Sequence, residues 1–259
     1  MTRNKLGLPI EYNKLHEYFD AFNISDDADI KNDIIKQLLK KHQVKTVLDL
    51  TCGTGSQVFF LAKHGYQVTG ADLSSEPLKQ ARQKARKEKI DVKFYNGDMR
   101  TLKIGLFDAV ITISNAVGHL TKAGFEKAMR SINKNLKEGG IYIFDILNLE
   151  AMTDTAVANL ANHMYKKVGD SQIYDIQFST IDRITGRLTS YDSVMTQKNA
   201  EAPKRFHHQF SLQIFTAKEI RDMLHKAGFE TLDQCGMDGS KFIATKTLSI
   251  LTTAKKRSR

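Results

Sequence analysis

The order of hydrophobic segments along this chain predicts an α/β protein with a doubly wound parallel sheet. Between residues 44 and 147, short β-branched runs alternate with helical patterns at a spacing that fits right-handed β–α–β units. The run 107–113 is nearly all apolar, as expected for a strand buried on both faces. A length of 259 residues suits one such domain with an insertion, and an apolar content of 41% excludes a collagen-like or disordered chain.

Each element of the alternation is predicted from its hydrophobic period. Helical periodicity begins at Glu11–Asn23 and Asp27–His42, ahead of the first strand. Gly139 and Gly140 are expected to close the helix before the fifth strand. The strands are predicted at 44–50, 66–71, 92–95, 107–113 and 141–147, and the helices between them at 57–63, 76–89 and 125–136.

After residue 148 a two-residue period predicts an inserted antiparallel cap. A helix is predicted first, at 150–161. Residues 171–195 then alternate around a turn at Gly186, which indicates a β-hairpin, and 204–215 is predicted as a further strand. Thr216 and Glu219 form a capping-box pattern that begins the last helix. Strands near 231–234 and 242–247 follow. The expected division is N-terminal helices 1–43, core 44–148, cap 149–215 and final core segment 216–259.

Charge and cysteine content exclude several classes of protein. Lys and Arg exceed Asp and Glu by 10, and the excess is concentrated in the helix 76–89 and the tail Lys255–Arg259. No aromatic residues are interleaved there, so we interpret solvated charge, with the tail dispensable for folding, rather than a nucleic-acid surface. Cys52 and Cys235 form no CxxC pair, and no HExxH or carboxylate cluster indicates a metal. The chain also lacks a signal-type or membrane-spanning apolar run, which favours the cytoplasm.

The strongest functional signal is a glycine turn followed by two acidic strand ends. The first strand ends in Asp49-Leu-Thr-Cys-Gly53-Thr-Gly55, where glycine permits positive φ and close approach of a ligand. No Gly-Lys-Ser/Thr follows, so this is not a triphosphate loop. Asp72 ends the second strand, where a carboxylate can hold ribose hydroxyls, and Asp98 after the third can accept from an adenine amino group. The pattern predicts a nucleoside site without a pyrophosphate.

These motifs resemble the class I (Rossmann-like) S-adenosylmethionine-dependent methyltransferases. The resemblance covers about residues 40–148 and includes Gly70-Ala-Asp72-Leu-Ser, Gly97-Asp-Met99 and Leu136-Lys-Glu-Gly-Gly140. It implies a seven-stranded sheet and S-adenosylmethionine as cofactor, with S-adenosylhomocysteine as product. The glycine turn would hold the methionine part, Asp72 the ribose, and Asp98 with Met99 the adenine. The cofactor-binding residues implied are Tyr18, Asp49, Thr51, Gly53, Gly55, Asp72, Leu73, Gly97, Asp98, Met99, Ile113 and Ser114.

A narrower resemblance follows the fourth strand, at Ser114-Asn115-Ala116-Val-Gly-His119-Leu. It looks like the small-molecule N-methyltransferases of the glycine/sarcosine and nucleotide-aminosugar types, although Ala116 stands where the former carry Ser. The resemblance implies a small-molecule acceptor, an amine nitrogen, and Asn115 and His119 as catalytic candidates. The Asn-Pro-Pro-Tyr of DNA and protein-amide methyltransferases is absent. The sequence leaves the oligomeric state open.

Several alternatives stay open at this point. His119 could instead be a core residue, and His207 and His208 must face opposite sides of a strand, so only one can enter a cleft. Tyr174 and Tyr191 are further polar groups that the cap could point inward. An N-terminal tyrosine, Tyr12 or Tyr18, could close over the cofactor or pack in the core, and Cys52 is interpreted as packing. A methyltransferase acting on RNA or another macromolecule and a non-catalytic cofactor-binding protein are the competing functions.

Overall fold

The computed structural model describes residues 28–160 and 162–258, which form two β-sheets with helices against them. The larger sheet has seven strands in the order β10-β11-β5-β4-β1-β2-β3, and the smaller has four in the order β6-β7-β8-β9. The strands are β1 Thr46–Asp49, β2 Gln67–Asp72, β3 Lys93–Asn96, β4 Phe107–Thr112, β5 Leu136–Leu147, β6 Asn162–Val168, β7 Ser171–Asp182, β8 Arg187–Lys198, β9 Lys204–Gln213, β10 Phe229–Gly236 and β11 Ser249–Lys256.

Helices cover both faces of the larger sheet, so the predicted doubly wound α/β architecture is confirmed. One apolar cluster joins Phe125 and Leu224 to Phe144 on β5, and the other joins Leu39 and Leu78 to Ile111 on β4. The strands β1 to β5 run parallel, while β11 is antiparallel to both β5 and β10. The helices are α1 Ala28–Lys41, α2 Ser56–Lys63, α3 Ser75–Glu88, α4 Lys122–Asn135, α5 Asp154–Asn159 and α6 Ala217–Lys226.

The smaller sheet is antiparallel throughout and is inserted after β5. Its central hairpin pairs β7 with β8 from Ser171↔Lys198 to Asp182↔Arg187, as the alternating pattern predicts. One end of the sheet packs on α5 through Met152, Val157, Leu188 and Leu212. We call this sheet the cap. The sequence missed its first strand, β6, and predicted one helix where a short 3-10 turn precedes α5.

Three other sequence predictions, two about the core and one about the basic tail, are wrong. The helix α4 ends at Asn135, because Leu136 is already extended; Gly139, at φ +71°, lies in an irregular part of β5 rather than closing the helix. Residues 242–247 form no strand, and the last strand is β11. The charge of Lys256 is not solvated as expected, because this residue belongs to β11 and its side chain, 14% exposed, donates to the carbonyl of Leu136 at 2.9 Å and pairs with Glu138 at 3.0 Å.

The capping box at Thr216 and Glu219 is confirmed, since each donates a backbone N–H to the other's side chain. No helix among the described residues has the length and apolar character that crossing a membrane requires. The helix predicted at 11–23, with Tyr12 and Tyr18, lies outside the described residues.

Candidate functional site

The carboxyl ends of four adjacent parallel strands bring together most residues that the sequence predicts for a site. Because β4, β1, β2 and β3 are neighbours in the sheet, Asp49, Asp72 and Asn96 end their strands at one edge, with Ile113 just beyond β4. Ligands of open α/β sheets bind at this edge.

The glycine turn after β1 adopts the conformation that its sequence requires. Gly53 has φ +50° and Gly55 has φ +91°, both in the left-handed region. A Cβ atom on Gly53 would meet no neighbouring atom within 4 Å, so open space lies beside this backbone, whereas one on Gly55 would collide with the ring of Phe59 at 2.7 Å. Gly53 therefore leaves room for a ligand, and Gly55 allows α2 to begin close to the turn.

Asp72 ties the glycine turn to the second strand. Its Oδ2 accepts the N–H of Gly53 at 2.9 Å, and its Oδ1 accepts the N–H of Ser74 at 2.8 Å. Burial raises the pKa of this carboxyl above its usual range, although the two N–H donors oppose the shift. Leu73, the next residue, is 49% exposed beside it. A carboxylate in this position can accept further hydrogen bonds from a pair of hydroxyls.

Asp49 and Thr51 place buried polar atoms beside the glycine turn. Asp49 is buried, and burial raises its pKa to about 7, although its Oδ1 accepts the N–H of Thr51 at 3.1 Å. The Oγ1 of Thr51 is buried without a hydrogen-bond partner among the described residues. Such groups are costly unless a ligand completes them. With the open space at Gly53 and the carboxylate of Asp72, they fit an ammonium- and ribose-bearing molecule such as S-adenosylmethionine.

The segment after β3 is more constrained than the sequence suggests. The N–H of Gly97 donates to the carbonyl of Asp72 at 2.9 Å. Both carboxylate oxygens of Asp98 accept hydrogen bonds from Arg100, whose Nε lies 2.9 Å from each, and this pairing lowers the pKa of Asp98. Met99 packs at the edge of the apolar core. An adenine contact by Asp98 stays a prediction. The sequence analysis did not foresee that Arg100 already balances the charge of this carboxylate.

The turn after β4 contains two consecutive residues in the left-handed conformation. Ser114 has φ +64° and Asn115 has φ +54°, which is uncommon for residues other than glycine and is found at functional sites. The side-chain oxygen of Asn115 accepts the N–H of Leu147 at 3.2 Å, and its own N–H donates to Asp145 at 3.0 Å. Asn115 therefore fastens this turn to β5, and a catalytic role for it stays a prediction.

Asp145 is a candidate residue that the sequence analysis missed. It is buried on β5, burial raises its pKa to about 6, and its Oδ1 has no hydrogen-bond partner in the described part of the chain. The signal was a single acidic residue inside the apolar run 141–147. The contact with Asn115 places its carboxylate directly beneath the left-handed turn.

His119 lies where the core meets the cap. It ends a 3-10 turn, Ala116–His119, and its ring centroid is 6.2 Å from that of Phe210 on β9. Burial lowers the pKa of His119 to about 4, so the imidazole is neutral at physiological pH. The structure thus places the predicted His119 between the end of β4 and the cap.

Of the polar side chains that the sequence offers for the cap's inner face, only His208 points inward. Its Nε2 lies 2.7 Å from Oδ2 of Asp192, and both side chains are about nine-tenths buried. Tyr174 and Tyr191 are 38% and 45% exposed on the opposite face, and His207 is exposed with them. The expectation that these tyrosines point inward is wrong, because their register positions alternate with the buried ones.

The glycine turn also contains a cysteine. Cys52 is buried in the glycine turn, and burial raises the pKa of its thiol, as expected for a packing residue. Within residues 28–160 and 162–258, no three His, Cys, Asp or Glu side chains come together as metal ligands do.

The chain is similar to known methyltransferases. The family model described as a methyltransferase domain matches residues 47–140. YqeM of Bacillus subtilis (strain 168), a candidate methyltransferase, is 31% identical over 191 residues, which cover 71% of this chain and 73% of that protein. The glycine/sarcosine N-methyltransferase of Parasynechococcus marenigrum (strain WH8102) is 33% identical over 135 residues, 49% of this chain and 46% of that protein.

A solved structure extends the similarity of fold to the cap. The sugar N-methyltransferase KedS8 from Streptoalloteichus sp ATCC 53650 superposes with a TM-score of 0.77 over 93% of each chain, at 17% sequence identity. At this identity the likeness shows the fold alone.

Proposed function

The chain belongs to the class I S-adenosylmethionine-dependent methyltransferases, and we propose that it transfers the methyl group of this cofactor to an amine nitrogen of a small molecule. The observation that carries the acceptor proposal is the buried ring of His119 against Phe210 of the cap. We infer from this contact that the end of β4 and the cap line one cleft that excludes water. An enclosed cleft of this kind suits a small acceptor better than a duplex.

The cofactor half of the proposal assigns the acidic strand ends. We assign Asp49 and Thr51 to the amino-acid part of the cofactor, because a buried carboxylate and an unsatisfied hydroxyl suit an ammonium. Asp72 is assigned to the ribose hydroxyls, and Met99 to the adenine ring. Leu73, beside Asp72, would cover the nucleoside from solvent.

The chain needs few groups for the chemistry itself. When bound, S-adenosylmethionine supplies a methyl group that its positively charged sulfur has already activated. The protein must hold the acceptor nitrogen in line with that methyl group, and such alignment supplies up to about 7–11 kcal/mol in favourable cases. The acceptor nitrogen must also be neutral, because only the free lone pair can attack.

The lowered pKa of His119 indicates how it acts. An ordinary alkylammonium has a pKa of about 10, so its proton does not pass to an imidazole whose pKa is about 4. We infer that the dry cleft favours the neutral amine by penalising its charged form. The neutral ring of His119 then accepts a hydrogen bond from the amine N–H and orients the lone pair.

The names of the similar proteins support an amine acceptor, since one methylates glycine or sarcosine and another a sugar nitrogen. The two free thiols, Cys52 and Cys235, suit a reducing compartment such as the cytoplasm.

Two competing functions have support of their own. The basic surface of α3 would favour an RNA substrate, and the small number of catalytic side chains would favour a non-catalytic cofactor-binding role.

A methyl-transfer screen with isotope-labelled cofactor separates these functions. The panel contains small amines, carboxylic acids, amino sugars and RNA. Labelling of amines supports the proposal; labelling of RNA alone, or tight cofactor binding without any turnover, contradicts it. His119→Gln should lower kcat/KM on the best amine by about a hundredfold through lost alignment, with cofactor affinity unchanged. His207→Gln changes an exposed histidine on the cap; it is the matched control and should leave kcat/KM unchanged.

A further inference from the structure

Both faces of the cap mix apolar and polar side chains. Its outer face exposes Ile176 and Phe178 by 43% and 62%, together with Tyr174 and Tyr191. Its inner face, which meets the core, buries apolar residues such as Ile173 and Val194 and, between them, carries a set of buried or partly buried polar side chains. We call this set the inner polar strip, and its members are Asp175, Gln177, Ser179, Ser190, Asp192 and His208. Buried polar groups are the informative exception in a protein interior.

The inner polar strip begins next to the proposed acceptor cleft. The ring of Phe210, which contacts His119, stacks on His208 with centroids 6.3 Å apart. In the same register row as Phe210, the hydroxyls of Ser179 and Ser190 lie 3.0 Å apart. The next row holds the Asp192–His208 pair, and the row beyond it holds Asp175. The strip thus leads away from His119 along the cap.

Two carboxylate oxygens of the strip lack a donor. Oδ1 of Asp175 and Oδ1 of Asp192 are buried without a hydrogen-bond partner in the described ranges, and Asp175 as a whole is only 7% exposed. Burial, and then the charge of Asp192, raises the pKa of Asp175 to about 6. Buried acceptors left unsatisfied are unfavourable, so a ligand that brings donors to them would be bound.

We propose that the inner polar strip is a second acceptor subsite, which binds hydroxyl or ammonium groups at the end of the acceptor remote from the methylated nitrogen and rejects a carboxylate there. The inference rests on the proposed function. The basic residues of this face, Lys166 and Lys204, lie one register row beyond Asp175, farther from His119. The carboxylates of Asp175 and Asp192 therefore lie nearer the cleft than either lysine, and His208 is paired with Asp192.

A matched series of four-carbon amines tests the subsite. The four compounds differ only at the fourth carbon, which is a methyl group in butylamine, carries a hydroxyl in 4-aminobutanol and an ammonium in 1,4-diaminobutane, and is the carboxylate in 4-aminobutanoate. Methyl transfer is measured as kcat/KM, and binding is measured by calorimetry on enzyme saturated with S-adenosylhomocysteine. We expect the hydroxyl and ammonium compounds to exceed butylamine by about tenfold, and the carboxylate compound to fall below it by a similar factor.

Charge-removing variants assign the preference to named residues. Asp192→Asn and Asp175→Asn should each reduce the preference for 1,4-diaminobutane over 4-aminobutanoate by about tenfold, and the preference is a ratio within each variant, so a change in its absolute rate cancels. Asp182→Asn, at the exposed turn of the same hairpin, is the control and should leave the ranking unchanged. An equal or reversed ranking in the wild type, or a ranking that both strip variants preserve, overturns the subsite.

The two proposals fail in different ways. Equal rates on all four amines would overturn the subsite and leave the amine methyltransferase standing. Absence of methyl transfer to every amine, with retained cofactor binding, would contradict the proposed function; calorimetry on the product-bound enzyme then decides the subsite. Tighter binding of the hydroxyl and ammonium compounds supports the subsite, and equal affinities, including no binding of any of the four, overturn it.

Discussion

Replacing Asp72 with alanine should weaken binding of S-adenosylhomocysteine by roughly 10- to 150-fold. The figure follows from the loss of a charged acceptor for two hydroxyl donors, about 1.5–3 kcal/mol. The same carboxylate also accepts the N–H groups of Gly53 and Ser74. The variant therefore loosens the glycine turn as well, and a control must separate this effect from lost ligand contact.

Asp182 provides the control, because it makes the same kind of turn without a ligand. Its Oδ1 accepts the N–H of Ile184 at 3.0 Å, two residues on, as Asp72 does with Ser74. Asp182→Ala should lower thermal stability slightly and leave cofactor affinity unchanged. For Asp72→Ala, the loss of its turn bonds is partly offset by removal of a buried charge, so the apo protein should remain folded.

Isothermal titration calorimetry of both variants with S-adenosylhomocysteine measures the difference directly. Circular dichroism melting of the apo proteins reports any loss of fold. The ribose assignment would be refuted by an Asp72→Ala protein that is folded and binds with wild-type affinity. It would also be refuted if Asp182→Ala weakened binding equally, because the effect would then not be local to the site.

Three further outcomes are expected. Lys256→Gln should lower the Tm by about 3–6 °C, because a charge-assisted hydrogen bond is lost. Lys255→Gln, the same change at an exposed position of β11, should shift the Tm by about 1 °C or less. Equal shifts would contradict the role of Lys256 in the sheet. Because burial raises the pKa of Asp49 to about 7, the folded state binds its proton more tightly than the unfolded state and loses stability as pH rises from about 4 to 7. Asp49→Asn keeps an acceptor for the N–H of Thr51 and removes the buried charge. Its Tm should therefore exceed that of the wild type at pH 8 but not at pH 4, and it should bind the cofactor more weakly. A difference in Tm that is the same at both pH values argues against the raised pKa. Replacing Ser171–Lys198 with a short Gly/Ser loop should retain cofactor binding by calorimetry and abolish methyl transfer, and full activity on a small amine would show that the cap does not form the acceptor site.

The core could be predicted because its signals are local. Buried parallel strands such as β4 are continuous apolar runs, and the glycine turn needs residues that tolerate positive φ. Asp49 and Asp72 end neighbouring strands, so chain order alone was enough to place them at one edge.

The remaining features depend on long-range contacts. Lys256 reads as a solvated tail residue until β11 is paired with β5, about 110 residues earlier in the chain, as the register Lys255↔Ile141 shows. Asp175 and Asp192 alternate with exposed tyrosines, and the period of two alone does not tell which face of a sheet meets the core. The sequence suggested that the Asp98 carboxylate is free to bind adenine, but the side chain of Arg100 forms a hydrogen bond with it.

The cap leaves and rejoins the core at a single point. The N–H of Leu149, just after β5, donates to the carbonyl of Phe215, just before α6, at 3.0 Å, and Asn148 forms a bridge with Phe215. The intervening segment is therefore a closed excursion whose ends are held together by the core. Changing the length of this inserted segment costs little additional loop-closure entropy and does not move β5 or the other strands of the larger sheet. Under the proposed function, acceptor choice can evolve through insertions and exchanges in this excursion, while the cofactor-binding edge is inherited unchanged.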